Sequence, residues 1–432
     1  MNTPICDFLE KYRDQNALRL HMPGHKGNGP LGIEKLDITE VEGADVLYQA
    51  KGIIKESMDN ATRLFGTART LYSTEGSSLS IKAMLYLAML CRGDKKPLIA
   101  AGRNAHKVFM YGAALLDIDI DWLYGEGLLS CQITPEALEE YLKNNHPVAV
   151  YITSPDYLGN IADINGLSEV CRRHGVMLLV DNAHGAYLKF LPESKHPIDL
   201  GADICCDSAH KTLPCLTGAG YLHISKSAPS FLVDMADEAM SLFASTSPSY
   251  LIMYSLDKCN GYLYSGIREA LLQTVPCIDE LKQNLFTIGD EPMKLTLDAK
   301  KYGYTGIELS EIFAEQGIVT EFADPDYLVM MMLPDPEAAI SVISVLVNIN
   351  RRPPITDKPP KLKPLKSAMT PRQAMMSKSK LVDTDEALGR VLAAPSVSCP
   401  PAVPIAVCGE IIDENAIELF RYYGIDKIRV IE

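Results

Sequence analysis

The sequence predicts an α/β protein: a large domain built on a mainly parallel sheet covered by helices, then smaller α+β domains toward the C-terminus. Short apolar runs that do not alternate with polar residues recur between helix-like segments, the pattern of strands buried on both faces. Several of these runs stop at polar residues, as happens where a ligand sits beyond the carboxyl ends of strands. The chain has 432 residues, more than one ordinary domain holds, and 47% of them are hydrophobic, enough for a large core.

Taken in order, Thr3 to Gln15 reads as a short helix, and LRLHMPGHKGNGPLG after it as a loop punctuated by Pro and Gly. From Met58 onward helix alternates with strand. The segment Ser77 to Leu90 is apolar on nearly every face and reads as a buried helix. Small residues in STEGS, just before it, leave amides exposed at the helix start, an arrangement that takes phosphate; a plain N-cap is the alternative. Strands are predicted at Pro97 to Ala101, DIDIDW, Val148 to Ile152, Val176 to Val180, Asp203 to Cys206 and Ala219 to Ile224, with helices at TPEALEEYLKNN and LSEVCRRHG. Asp234 to Ile278 reads as helices and loops.

Between Pro292 and Asn350 the helices IELSEIFAEQG and DPEAAISVISVLVNI flank a strand-like YLVMMML. The stretch RRPPITDKPPKLKPLKS has the composition of an exposed linker. From Met369 a helix (TPRQAMMSK), a Pro-rich loop (CPPAVPIAVCGE) and a closing helix and strand follow. The division implied is an N-terminal segment (1–57), a large domain (58–280), a small α+β domain (281–352), a linker (353–368) and a C-terminal domain (369–432).

A formal net charge of -14 argues against nucleic-acid and anionic-membrane partners, which need a clustered positive field. The N-terminus MNTPICDFLEKYRDQN is charged where a secretory signal would be apolar, and no later run is long enough to span a bilayer, so a cytoplasmic location is expected. Eleven scattered cysteines without CxxC pairs read as reduced, mostly buried thiols, and no metal site is expected.

The polar residues at the strand ends carry the chemistry. Asp181 and His184 follow one apolar run; Ser208, His210 and Lys211 follow the next; Thr153, Ser154 and Asp156 follow a third. Singly these are weak signals, since an Asp after a strand is common and a lone Lys is usually solvated. Together they suit pyridoxal 5'-phosphate (PLP). Asp181 would keep the pyridine nitrogen protonated, and Lys211 would form the Schiff base and later return a proton. Ser208 and His210, with Gly76, Ser77 and Ser78, would hold the phosphate. His106, in GRNAHKVF, would stack on the ring, its competing reading being a structural histidine. His184 would touch a cofactor oxygen or the substrate carboxylate, and Ala183 belongs to the same cofactor-binding set.

These motifs resemble those of the PLP-dependent ornithine/lysine/arginine decarboxylases of bacterial, aspartate-aminotransferase-like fold, in a short form without the receiver-like N-terminal wing domain. The pieces HMPGHKG, TEGSS, RNAHK, TSPDYLGN, DNAHGAY, DSAHKTLP and TSPSY occur in the family's order over most of the chain. The resemblance implies a PLP-dependent transferase fold, with Lys211, His106 and His184 catalytic and Asp181 the pyridinium partner. It also implies a homodimer with a shared active site, Ser247 approaching the cofactor of the neighbouring subunit. His25 and Glu410 are the candidates for substrate contact, Glu410 matching an acidic residue near the substrate's cationic end. The sequence departs from the family at Ala402 (usually Gly), Cys408 (usually Pro), Asn182 (usually Glu), Val108 (usually Ser) and Glu75. The activity implied is α-decarboxylation of a small-molecule basic amino acid to an amine, a step in polyamine metabolism, arginine slightly ahead of lysine and ornithine. An aminotransferase, a carbon–carbon lyase and a non-catalytic PLP-binding protein are the alternatives.

Overall fold

The computed structural model describes residues 1–93, 96–125, 132–332, 334–350, 352–398 and 403–432. The chain forms two compact units, each assembled from two stretches: Met1–Gly93 with Cys171–Arg268, and Asp94–Val170 with Glu269–Glu432. Seven strands lie in the first 224 residues: β1 (Arg69–Ser73), β2 (Leu98–Gly102), β3 (Asp119–Leu123), β4 (Ala149–Thr153), β5 (Met177–Asp181), β6 (Ile204–Asp207) and β7 (Gly220–Ile224).

In the first unit the strand order is β1-β7-β6-β5. β5 and β6 are parallel, with Asp181 opposite Cys206, whereas β7 runs antiparallel to both β6 and β1. β5, β6 and β7 are buried along their whole length, in keeping with sequences that are apolar apart from His223 and the terminal Asp181 and Asp207. The helix Gly76–Met89 follows β1 and buries ten residues, in keeping with its all-round apolar sequence. Helix Ile53–Phe65 precedes β1 and stops at Gly66, whose φ of 72° only glycine adopts without strain. β1 itself was not predicted. RTLYS opens with Arg and Thr and is legible as a strand only once β7 is beside it, paired from Arg69↔Ile224 to Ser73↔Gly220.

In the second unit β2 lies between β4 and β3, parallel to each. Beyond residue 286 come β8 (Thr287–Ile288), β9 (Lys294–Asp298), β10 (Phe322–Ala323) and β11 (Tyr327–Met331), an antiparallel four-stranded sheet in the order β10-β11-β9-β8. Helix Gly306–Glu315, started by a Thr305/Glu308 capping box, and helix Pro336–Asn348 pack Leu309, Phe313, Val342 and Leu346 into one core with Leu295, Leu297 and Leu328. Two further antiparallel pairs follow, β12 (Ser379–Asp383) with β15 (Lys427–Ile431) and β13 (Ser396–Ser398) with β14 (Pro404–Val407). They share a second core with helix Glu414–Tyr422 through Val382, Ile405, Leu419, Phe420 and Val430. β14 corrects the reading of CPPAVPIAVCGE as a loop: its apolar PIAV is fully buried. Ala402, one of the departures, lies outside the described residues. No described helix is long and apolar enough to cross a membrane, and every described cysteine is free.

Candidate active site

The first unit brings most of the predicted site residues together. β5 and β6 end side by side, so Asp181 emerges next to Cys206 and is 2% exposed. Its Oδ1 accepts the N–H of Ala183 at 3.2 Å and the Cys206 thiol at 3.6 Å. One residue past Ala183, the buried His184 places Nε2 3.1 Å from Nζ of Lys211. Lys211 is exposed on a single helical turn, Ala209–Thr212, that follows β6 directly. A carboxylate and an amine are thus delivered by neighbouring strand ends, with an imidazole already against the amine.

The phosphate-type cradle forms where this turn meets helix Gly76–Met89. Ser208 Oγ donates to Ser77 Oγ at 2.8 Å, and a Cβ on Gly76 would lie 3.5 Å from His210 Cε1. Gly76 holds φ at 65° and donates its N–H to the Gly218 carbonyl at 2.6 Å. Gly220 admits no side chain, since a Cβ there would stand 2.9 Å from the Gly76 carbonyl carbon and 3.0 Å from the Asp207 carbonyl oxygen. His210 Nδ1 lies 2.8 Å from the Ala219 carbonyl and so carries a proton that it donates. No side chain caps the helix: Glu75 makes no cap bond, and its carboxylate instead accepts the Ser245 N–H at 2.8 Å. First-turn amides at the positive end of the helix dipole, beside two serines and a histidine, fit a phosphate.

Elsewhere in this unit, His25 accepts the Gly27 N–H at Nδ1 (3.0 Å) and therefore donates from Nε2 to Asp37 (3.1 Å). Ser78 is exposed in the first helical turn, and Ser247 is exposed with its N–H on Ser245 Oγ at 3.1 Å.

The second unit holds the remaining candidates. His106 is exposed and caps helix Lys107–Leu116, its Nδ1 accepting the Val108 N–H at 3.4 Å. The polar residues after β4 serve their own turn: Asp156 Oδ1 accepts the N–H groups of Leu158 and Asn160, and Ser154 Oγ that of Ala162. Burial pushes the Asp156 carboxyl up, against these hydrogen bonds and nearby Lys294.

Glu410 does not lie open to a substrate cation, contrary to the expectation. It is 1% exposed, its two oxygens take Arg103 Nη1 at 2.8 Å and Nη2 at 2.7 Å, and Oε2 also accepts the Val407 N–H at 2.9 Å. Arg103 lies over the Trp122 ring, 5.0 Å from its centroid. Arg103 lies within the motif RNAHK, but the sequence alone assigns it no role. The available signal was a cation directly after the apolar LIAAG, a position too buried to be left without an anion.

A family profile described as the major domain of Orn/Lys/Arg decarboxylases matches residues 3–286. The arginine decarboxylase of Bacillus subtilis is 29% identical over 470 residues, covering 97% of this chain and 93% of that protein. Among solved structures, the lysine decarboxylase of Francisella novicida superposes with a TM-score of 0.80 at 17% identity, covering all of this chain and 81% of that one. The constitutive lysine decarboxylase of Escherichia coli gives 0.76 at 18% identity, covering all of this chain and 82% of that one.

Proposed function

The chain belongs to the Orn/Lys/Arg decarboxylase family, and from that premise we propose arginine as its substrate, ahead of lysine and ornithine. The protein is a PLP-dependent decarboxylase of basic amino acids. The observation that carries the site is the pairing of His184 Nε2 with Lys211 Nζ at 3.1 Å beside the buried Asp181. Arginine leads because curated relatives spanning 97% of the chain carry the name arginine decarboxylase.

When bound, PLP supplies the electron sink for the carbanion left by loss of CO2. Gly76, Ser77, Ser78, Ser208 and His210 would bind the phosphate, and Asp181 would hold the positive charge of the pyridine nitrogen. Lys211 would hold the cofactor through Nζ, and the same amine would deliver a proton to the substrate α-carbon. His184 orients that amine and accepts or returns its proton at Nε2. His106 is carried over from the family motif RNAHK as the group that would cover the ring.

A homodimer with a shared site is part of the proposal. Leu18, Leu20, Met22 and Leu31 are 68–86% exposed within one short segment, an apolar surface that a second copy would cover. A cytoplasmic location is also part of the proposal.

The test is a panel of arginine, lysine and ornithine with the PLP-loaded protein, measuring amine, CO2 and keto acid together. Amine and CO2 in equal amounts, fastest from arginine, are expected. Lys211→Ala is expected to lose both turnover and the cofactor retained after borohydride reduction. Keto acid without CO2 would overturn the assignment in favour of an aminotransferase.

A further inference from the structure

Side chains alternate along β6, so Cys206 faces Asp181 while Cys205 and Asp207 face the other way. On that second face Asp207 is fully buried at the centre of a polar cage. His196 Nε2 donates to Oδ2 at 3.1 Å and His223 Nε2 to the same oxygen at 3.0 Å. Asn182 Nδ2 donates to Oδ1 at 2.7 Å, and the Cys205 thiol approaches Oδ1 at 3.6 Å. Four donors match the four lone-pair sites of an ionised carboxylate.

His196, Asp207 and His223 offer ligand atoms within 4.8 Å of one another, so a transition metal is the competing reading. The outer contacts decide against it. His196 Nδ1 accepts the Ile198 N–H at 3.4 Å, which leaves the proton of a neutral imidazole on Nε2, where a metal would have to sit. With that proton in place both imidazoles, the Asn182 amide and the Cys205 thiol all direct a donor at Asp207.

Asn182 connects the cage to the candidate site. It follows Asp181 directly, its N–H donates to the Cys206 carbonyl at 3.0 Å, and its own carbonyl accepts the Gly185 N–H at 2.8 Å. The backbone that presents Asp181, Ala183 and His184 is therefore tied to Asp207 through one side-chain amide. We propose that Asp207 is a positioning residue, which through Asn182 sets Asp181 and His184 against the cofactor. The proposal rests on the PLP reading of that site.

Four variants test it in the full chain: Asp207→Asn, Asn182→Asp, the two combined, and Asn182→Ala, which cuts the link but leaves the histidines on Asp207. Measured are the melting temperature without cofactor, the PLP dissociation constant by fluorescence titration, the absorbance spectrum of bound cofactor, and metal content. Each single variant is expected to weaken PLP binding about tenfold, the size of a lost hydrogen bond to a charged group, and to shift the spectrum. The combined variant keeps one acid and one amide and is expected to recover most of both. Asn182→Ala with wild-type affinity and spectrum would overturn the proposal, even if Asp207→Asn fails to fold. Stoichiometric zinc in the purified wild type would overturn it as well. Failure of the wild type to bind PLP at all would instead strike the reading of the site.

Discussion

Replacing Glu410 by Gln removes the carboxylate that pairs with both terminal nitrogens of the buried Arg103 guanidinium. The two side chains are 2% and 1% exposed, so water cannot take over. Breaking such a pair costs about 3–5 kcal/mol, because the remaining charge is left buried without compensation. The carbonyls of Pro404 and Ile405, at 3.3 and 3.4 Å, and the Trp122 ring stay in place. With the glutamine oxygen still able to accept, the lower end, about 3 kcal/mol, applies. The second unit contains roughly 240 residues, for which the unfolding entropy is about 0.5 kcal/mol/K, giving a fall of about 6 °C in its melting temperature. Differential scanning calorimetry reads the shift, and steady-state kinetics on the same preparation reads KM. An Arg103→Met/Glu410→Leu double variant, which removes both charges, is expected to regain most of the loss. A melting shift below about 2 °C together with a KM raised about tenfold would refute the reasoning and return Glu410 to the substrate.

Two further outcomes follow from backbone geometry and from burial. Gly220→Ala must push apart backbone atoms now 2.9–3.0 Å from its Cβ position; overpacking of about 1–3 kcal/mol and weaker PLP binding are expected, and unchanged affinity by cofactor titration would contradict the cradle. Burial pushes the Asp324 carboxyl up to about 6, outweighing the N–H groups of Tyr327 and Asp326 that pull it down. A folded value above the unfolded one means the unfolded state binds fewer protons between about pH 4 and 6, so this group subtracts stability as pH rises through that window. The penalty is complete above about pH 6 and amounts to about 3 kcal/mol. Asp324→Asn is therefore expected to stabilise the protein at neutral pH and to change little near pH 4; denaturant midpoints measured at both would expose an equal gain, which the argument forbids.

Strands whose own residues carry the signal were legible. β2, β4, β5, β6 and β7 fall within a residue of their predicted bounds because each is built on a short apolar run, broken in β7 by His223. The polar residues at their ends were legible for the same reason, since the place where an apolar run stops is written in the run. What escaped depends on partners distant in sequence. RTLYS becomes a strand only against β7, and PIAV only against β13. His196 and His223 gave no local sign that they would meet on Asp207. Glu410 was legible as an acid in a family motif, but its occupation by Arg103 was not, because nothing near either residue announces the other.

That last pairing joins residues 307 positions apart, and the separation has a meaning in time. A ribosome adding about 5–20 residues per second needs roughly 15–60 s to travel from one to the other. Throughout that interval Arg103 has been made and its counter-ion has not. The apolar strand β2 that carries it can collapse early, but its charged end cannot be sealed until nearly the whole chain exists. Closure of this pair in the second unit thus waits until residue 410 has been made.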